Sequence, residues 1–219
     1  MSTSKKLGRP PDTSSEETRG RILEAARVCF SRYGFDRTTN RQLAEAAALT
    51  TGAIYHYFGS KRELYVEAHD QVQAIVYERF EQAVEAAEPT FADRITAVLD
   101  EALALQREDP SLATFLAAVR TDISRHEELR DEPRLRPNRR LSFFGALIEL
   151  GVDNGEIRLE DAEVVSDVVA ATMMGLVSAS GGEPGAHARA VEGMKRLVDG
   201  SLIQPAAPTV RPTRRPRPE

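Results

Sequence analysis

Apolar residues recur at three- and four-residue spacing along nearly the whole chain, the period of amphipathic α-helices. Ile22, Leu23, Ala26, Phe30 and Tyr33 form a first stripe, and Gly34 follows as a C′ residue able to take positive φ. Ser14 with Glu17 fits a capping box that opens this helix, and Phe35 reads as a plug between the first two helices. Two short helices come next. Thr39 with Gln42 is a second capping box, before Leu43, Ala44 and Ala47. Thr50 caps Thr51 to Phe58, in which Ile54 and Phe58 face inward with Leu49. Ser60 with Glu63 opens a fourth helix, Lys61 to about Ala87, through Leu64, Tyr65, Ala68, Val72, Ile75, Val76, Phe80 and Val84. At 1.5 Å per residue its ~27 residues span ~40 Å.

The remainder continues the pattern. Thr90 with Asp93 starts a helix through Leu103, and Asp109-Pro110 caps another through Leu112, Phe115, Leu116, Val119 and Ile123. His126 to Pro137 is charged and twice interrupted by Pro, a loop or broken helix. A helix through Leu141, Phe144, Leu147 and Ile148 ends near Gly151. Two more follow, Asp161 to Ala179 and Gly185 to Ile203. With no hairpin chemistry and no fixed-period repeat, the fold class is all-α: a three-helix head over 14–60 and a helical body over 61–203. The polar stretch 1–13 and the Pro- and Arg-rich stretch 204–219 read as disordered. Lys5, Lys6 and Arg9 suit either a minor-groove arm or a solvated tail.

A short helix, a turn and a second short helix is the helix-turn-helix plan, whose second helix enters the DNA major groove. The order Thr39, Leu43-Ala44, Leu49, Gly52, Ile54-Tyr55, Tyr57-Phe58, Ser60-Lys61, Leu64 resembles the DNA-binding head of the TetR family of bacterial repressors. Ile22 to Thr39 resembles that family's first helix and its turn, and the likeness covers about residues 15 to 66. One position departs: Ala48 stands where the family usually has Gly, and left-handed geometry costs an L-residue roughly 1–2 kcal/mol.

The resemblance implies DNA contacts at Thr39, Arg41, Thr50, Thr51, Gly52, Ala53, Tyr55, His56 and Lys61. Their chemistry separates by role. Thr39, Lys61 and the backbone donors near Thr51 suit phosphate, as does Tyr55, which also packs on sugar. Small Gly52 and Ala53 let the helix lie close to the bases, with Ala53 on a thymine methyl. Arg41 and His56 are the candidates for base edges.

The resemblance further implies a homodimer joined through the last two helices, with Val169, Met173, Leu176, Val177, Val191, Met194, Leu197 and Val198 in the interface. The first of these helices is apolar nearly all round, which calls for cover on two faces. Ser178, Ala179, Ser180 and Gly181 allow close backbone approach. It also implies an effector cavity walled by Phe115, Val119, Phe143, Phe144, Leu147, Met173 and Met174, for an apolar or amphipathic small molecule, with Arg120, Asp122 or His126 near the mouth. Core packing is the competing reading of these residues.

Charge agrees with a polyanion grip at one end. The 219 residues carry a net charge of −5, yet residues 1–62 hold 11 Lys/Arg against 6 Asp/Glu, and the rest 18 against 28. The single Cys29, amid Ala25, Ala26 and Phe30, reads as a buried thiol in a reducing cytoplasm. No apolar run approaches ~20 residues, so no membrane span is expected, and no secretory segment is read. The four His have no zinc-ligand spacing, and no phosphate loop or G-x-S-x-G appears, so no metal, cofactor or catalytic residue is expected. The expected function is a homodimeric regulator on a palindromic double-stranded operator, most simply a repressor released by an effector. The alternatives are a ligand-free regulator controlled by a protein partner or by abundance, and an all-helical enzyme.

Overall fold

The computed structural model describes residues 15–179 and 185–202. The Ser14 cap, the arm with Lys5, Lys6 and Arg9, Ser180, Gly181, Ile203 and the Pro/Arg-rich stretch lie outside the described residues. The helices are α1 (Ser15–Arg37), α2 (Asn40–Ala47), α3 (Thr51–Phe58), α4 (Lys61–Ala86), α5 (Phe91–Glu108), α6 (Pro110–Arg125), α7 (Glu127–Arg130), α8 (Asn138–Asp153), α9 (Ala162–Ala179) and α10 (Ala186–Val198). No strand occurs among the described residues.

Local signals set most boundaries. Thr39, Thr50, Ser60, Thr90 and Asp109 each accept a backbone N–H from the helix they open. The Thr39–Gln42 box is complete. The Ser60 box is half made, because the Glu63 carboxylate reaches Arg134 at 2.7 Å instead. Helical geometry in α1 breaks at Gly34, φ 74°. The stretch after α6 is a broken helix, α7 and a 3-10 turn at Pro133–Leu135. The last helix stops at Val198, short of the expected Ile203, as Asp199 and positive-φ Gly200 end it.

One continuous apolar core runs from Ile22 and Phe30 in α1 through Tyr65 and Val72 in α4, Val98 in α5 and Phe115 in α6 to Leu176 and Val191. Tyr33 departs from the expected stripe and is exposed. Phe35 packs not between α1 and α2 but against Phe30, Tyr65 and His126, from α1, α4 and the end of α6. Cys29 is buried, as its neighbours implied, and burial pushes its thiol up.

A candidate nucleic-acid interface

Helices α2 and α3 bury one side each: Leu43, Ala44 and Ala47 from α2, Ile54 and Phe58 from α3. The turn between them is a Schellman motif. Leu49 N–H donates to Ala44 O at 3.0 Å and Ala48 N–H to Glu45 O at 3.2 Å. Ala48 occupies the C′ position at φ 54°, ψ 44°, so an alanine stands in the left-handed geometry that glycine normally serves. The Arg21 guanidinium donates to Ala47 O at 3.0 Å and ties the end of α2 to α1.

With one side buried, the other is left to solvent. Thr39, Arg41, Thr50, Thr51, Gly52 and His56 are exposed, and Ala53 and Tyr55 are half-buried. The Thr50 hydroxyl already accepts from Ala53 N–H at 3.2 Å, and the Thr39 hydroxyl takes part in its capping box. The Arg41 guanidinium rests on Glu45 one turn along α2, at 2.7 Å, with its side chain 87% exposed. A pair so exposed is worth little in water and yields readily to a phosphate or a base edge. Partial burial raises the Tyr55 phenol, so it stays a neutral donor.

Lys61 is placed differently from an outward-reaching phosphate ligand. Its ammonium donates to Phe35 O at 3.0 Å and Thr38 O at 3.3 Å, and lies 4.6 Å from the Phe35 ring centroid. It fastens the turn before α2 to the start of α4, with one of its three N–H donors left for phosphate.

The expected cavity residues do not line one shared cavity. Phe115 and Val119 are buried, Phe115 in an aromatic cluster with Phe30 and Tyr65. Phe143 and Leu147 instead line a cleft of about 410 Å³ between α4, α5 and α8, with Val84, Ala146 and the charged Glu81, Glu85, Arg94 and Arg139. Phe144 is buried, Met173 packs on the core and Met174 meets Arg120. Asp122 is at no mouth: it is buried and holds Phe35 N–H and Tyr65 OH. His126 faces Asp36 at 3.3 Å.

The expected interface residues also divide. Leu176 and Val191 are buried within the single chain, and Val169, Met173, Met194 and Val198 pack on its core. Val177 is half-buried and Leu197 is exposed. The large apolar residues α9 leaves to solvent are Val164 and Val168, 60% and 54% exposed. Sequence reasoning identified the all-round apolar character of α9 but did not single out Val164 and Val168 as its outward residues. It also missed Arg27, buried on α1, although its place between Leu23 and Phe30 on the apolar stripe was a readable signal.

A compact three-helix unit with an exposed, small-residue face on its last helix defines a helix-turn-helix DNA-binding regulator. Residues 22–68 match the family model for bacterial regulatory proteins, tetR family. The HTH-type transcriptional repressor AcnR of Corynebacterium glutamicum is 28% identical over 202 residues, 89% of this chain and 95% of that one. AcnR of Corynebacterium efficiens is 33% identical over 119 residues, 54% of each chain, so that match spans about half of the relative's length. Among solved structures, FadR from Bacillus subtilis in complex with stearoyl-CoA superposes with a TM-score of 0.70 at 20% identity, covering 84% of this chain and 99% of that one, which shows a shared fold. Residues 22–68 thus carry the DNA-binding head of the TetR family of transcriptional regulators.

Proposed function

We propose that the chain is a cytoplasmic, homodimeric repressor whose α3 helices read two half-sites of a palindromic operator. The observation that carries the reading is α3 itself: Ile54 and Phe58 are buried while Thr51, Gly52 and His56 stay exposed on one short helix capped by Thr50. Gly52 and Ala53 let its backbone approach the bases, and Arg41 and His56 supply donors for base edges. Thr39, Thr50, Thr51 and Tyr55 hold phosphate, with Lys61 adding a donor from the start of α4. Residues 14–60 act as the reading head and 61–203 as the body.

Two chains join through α9 and α10. Val164 and Val168 on α9 and Leu197 on α10 are large apolar residues left to solvent in the single chain, and a two-fold assembly removes them from water. A dimer then reads half-sites about 34–36 Å apart, or a multiple of that. The effector is a small amphipathic molecule in the cleft walled by Val84, Phe143, Ala146 and Leu147, whose ionic rim of Glu81, Glu85, Arg94 and Arg139 suits a polar end. About 410 Å³ falls within the usual range for small-molecule sites. Such a ligand releases DNA only by preferring one arrangement of the heads. The solid packing of Phe115 and Val119 favours a second reading, a regulator without a ligand.

The experiment is affinity for the DNA upstream of its own gene against a scrambled duplex, over a salt series, with protein mass measured in solution. Selective binding by a dimer with a steep salt slope is expected. Equal weak binding to both duplexes, repeated in a genome-wide binding selection, overturns the operator reading. A thermal-shift screen with amphipathic molecules separates the two control mechanisms.

A further inference from the structure

Helix α1 of the head is fastened to α6 of the body at two points. At one, the buried Arg27 guanidinium donates to Ser111 Oγ at 2.9 Å and to the Asp109 carboxylate. At the other, Asp122 Oδ2 accepts Phe35 N–H and Tyr65 O–H, both at 2.9 Å. The chain turns at Gly34 beside this carboxylate, where an added Cβ would be in ordinary contact with Asp122 Oδ1 at 3.4 Å.

Asp122 is 6% exposed, and Tyr65 is fully enclosed. A carboxylate so far from water costs free energy that an apolar residue of the same volume would not. Phe115 and Val119 show that this side of α6 otherwise carries core residues. The charge therefore calls for an explanation other than packing.

The turn from Gly34 to Thr38 leads directly into Thr39, the N-cap of α2, and its polar groups are taken up within the turn, by α4 and by α6. The Thr38 hydroxyl donates to Gly34 O at 2.7 Å. Lys61 of α4 holds the Phe35 and Thr38 carbonyls. Asp122 of α6 holds the Phe35 amide. The entry of α2, and with it the pose of α3, depends on all three.

We infer that Asp122 is a positioning residue for DNA reading: through the Phe35 amide and the Tyr65 hydroxyl it sets the entry of α2 from within the body. It touches no DNA. With Arg27 at the other anchor, it makes the head and α6 move as one unit rather than letting the head swing on α4 alone. A signal arriving at α6 is thereby delivered to the entry of α2 directly, through the Phe35 amide, as well as through Tyr65 at the start of α4.

The test compares wild type with Asp122→Ala, which removes both bonds, and Tyr65→Phe, which removes one hydroxyl and keeps the core filled. The readouts are hydrogen exchange at the Phe35 amide and affinity for a duplex recovered by selection against a scrambled duplex of equal length. Folding of each variant is checked by far-UV circular dichroism. Asp122→Ala is expected to expose the Phe35 amide to exchange. It should also lower the selected-to-scrambled affinity ratio by about tenfold, a change of about 1.4 kcal/mol, with scrambled affinity unchanged. Tyr65→Phe should move the ratio in the same direction by less, and it decides the matter if the alanine variant does not fold. A wild-type ratio in a folded Asp122→Ala or Tyr65→Phe protein overturns the inference. So does an equal loss on both duplexes, which would leave Asp122 a contributor to stability alone.

Discussion

Replacing Ala48 by glycine tests whether the reading head stores backbone strain. Ala48 sits at φ 54°, ψ 44°, and it is the one non-glycine residue at positive φ among those described. For an L-residue that conformation costs roughly 1–2 kcal/mol, which glycine removes. Against this, glycine loosens the unfolded chain, an opposing effect of about 0.4–1 kcal/mol. The Ala48 methyl is exposed, so burial contributes nothing to the difference. The net expectation is a stabilisation of about 0.5–1 kcal/mol. For a chain of this size that raises the thermal midpoint by about 1–4 °C. The assay is thermal unfolding by circular dichroism at one fixed protein concentration, because assembly makes midpoints concentration-dependent. Gly59→Ala is the converse. Gly59 has φ 69°, ψ −46°, and Ser60 N–H closes onto Phe58 O at 2.7 Å, a strained γ-turn. An added Cβ meets nothing within 4 Å, so only backbone strain is introduced and the midpoint should fall. If Ala48→Gly leaves the midpoint unchanged or lowers it while Gly59→Ala lowers it, the strain argument at Ala48 is wrong.

Three further outcomes are expected. Tyr55→Ala should abolish measurable operator selectivity while leaving the solution mass unchanged; wild-type selectivity in that variant would remove α3 from the major groove. Lys61→Met keeps an apolar stem on Phe35 but frees two carbonyls, so urea denaturation should show a loss of about 1–3 kcal/mol, with Lys61→Arg closer to wild type. A full-strength Lys61→Met head with weakened DNA binding would return Lys61 to a purely phosphate role. Burial chiefly holds the His69 imidazole below its ordinary value, with Asp70 pulling the other way. The unfolded chain therefore takes up the proton first, so His69 contributes stability that is complete above about pH 6.5 and is lost as pH falls through its folded value. Urea midpoints from pH 7.5 to 5.5 should fall more steeply for wild type than for His69→Gln, and parallel slopes would contradict it.

The head was legible because its signals are local. A Thr three residues before Gln, a Thr before a short apolar-faced helix and a Ser before the long α4 each act within one turn, and each cap forms. The body was legible only as a series of helices. Periodicity says that Phe115 and Val119 are buried but not against what, and the two readings open for them, cavity wall and core, have the same sequence pattern. Phe115 ends against Phe30 and Tyr65, partners far away in sequence. For α9 the all-round apolar pattern required cover on two sides. Which valines meet α10 and the core, and which face outward, depends on helix rotation that no spacing rule supplies.

The polar anchors occupy a middle ground, because one pattern marks them all. Arg27 lies between Leu23 and Phe30, Asp122 follows Phe115 and Val119, and His69 lies between Tyr65 and Val72. Each set is spaced by four and then three residues, so each polar residue stands in register with an apolar stripe rather than beside it. All three are buried. A charged or polar side chain in such a position must find a hydrogen-bond partner on a neighbouring helix or cost stability. Arg27 and Asp122 find theirs between head and body, at separations of 82 to 87 residues. The stripe thus identifies the anchor while the partner emerges only on folding, and the same logic explains why Arg27 and Asp122, which join reading head to body, are among the residues that interrupt an otherwise apolar core.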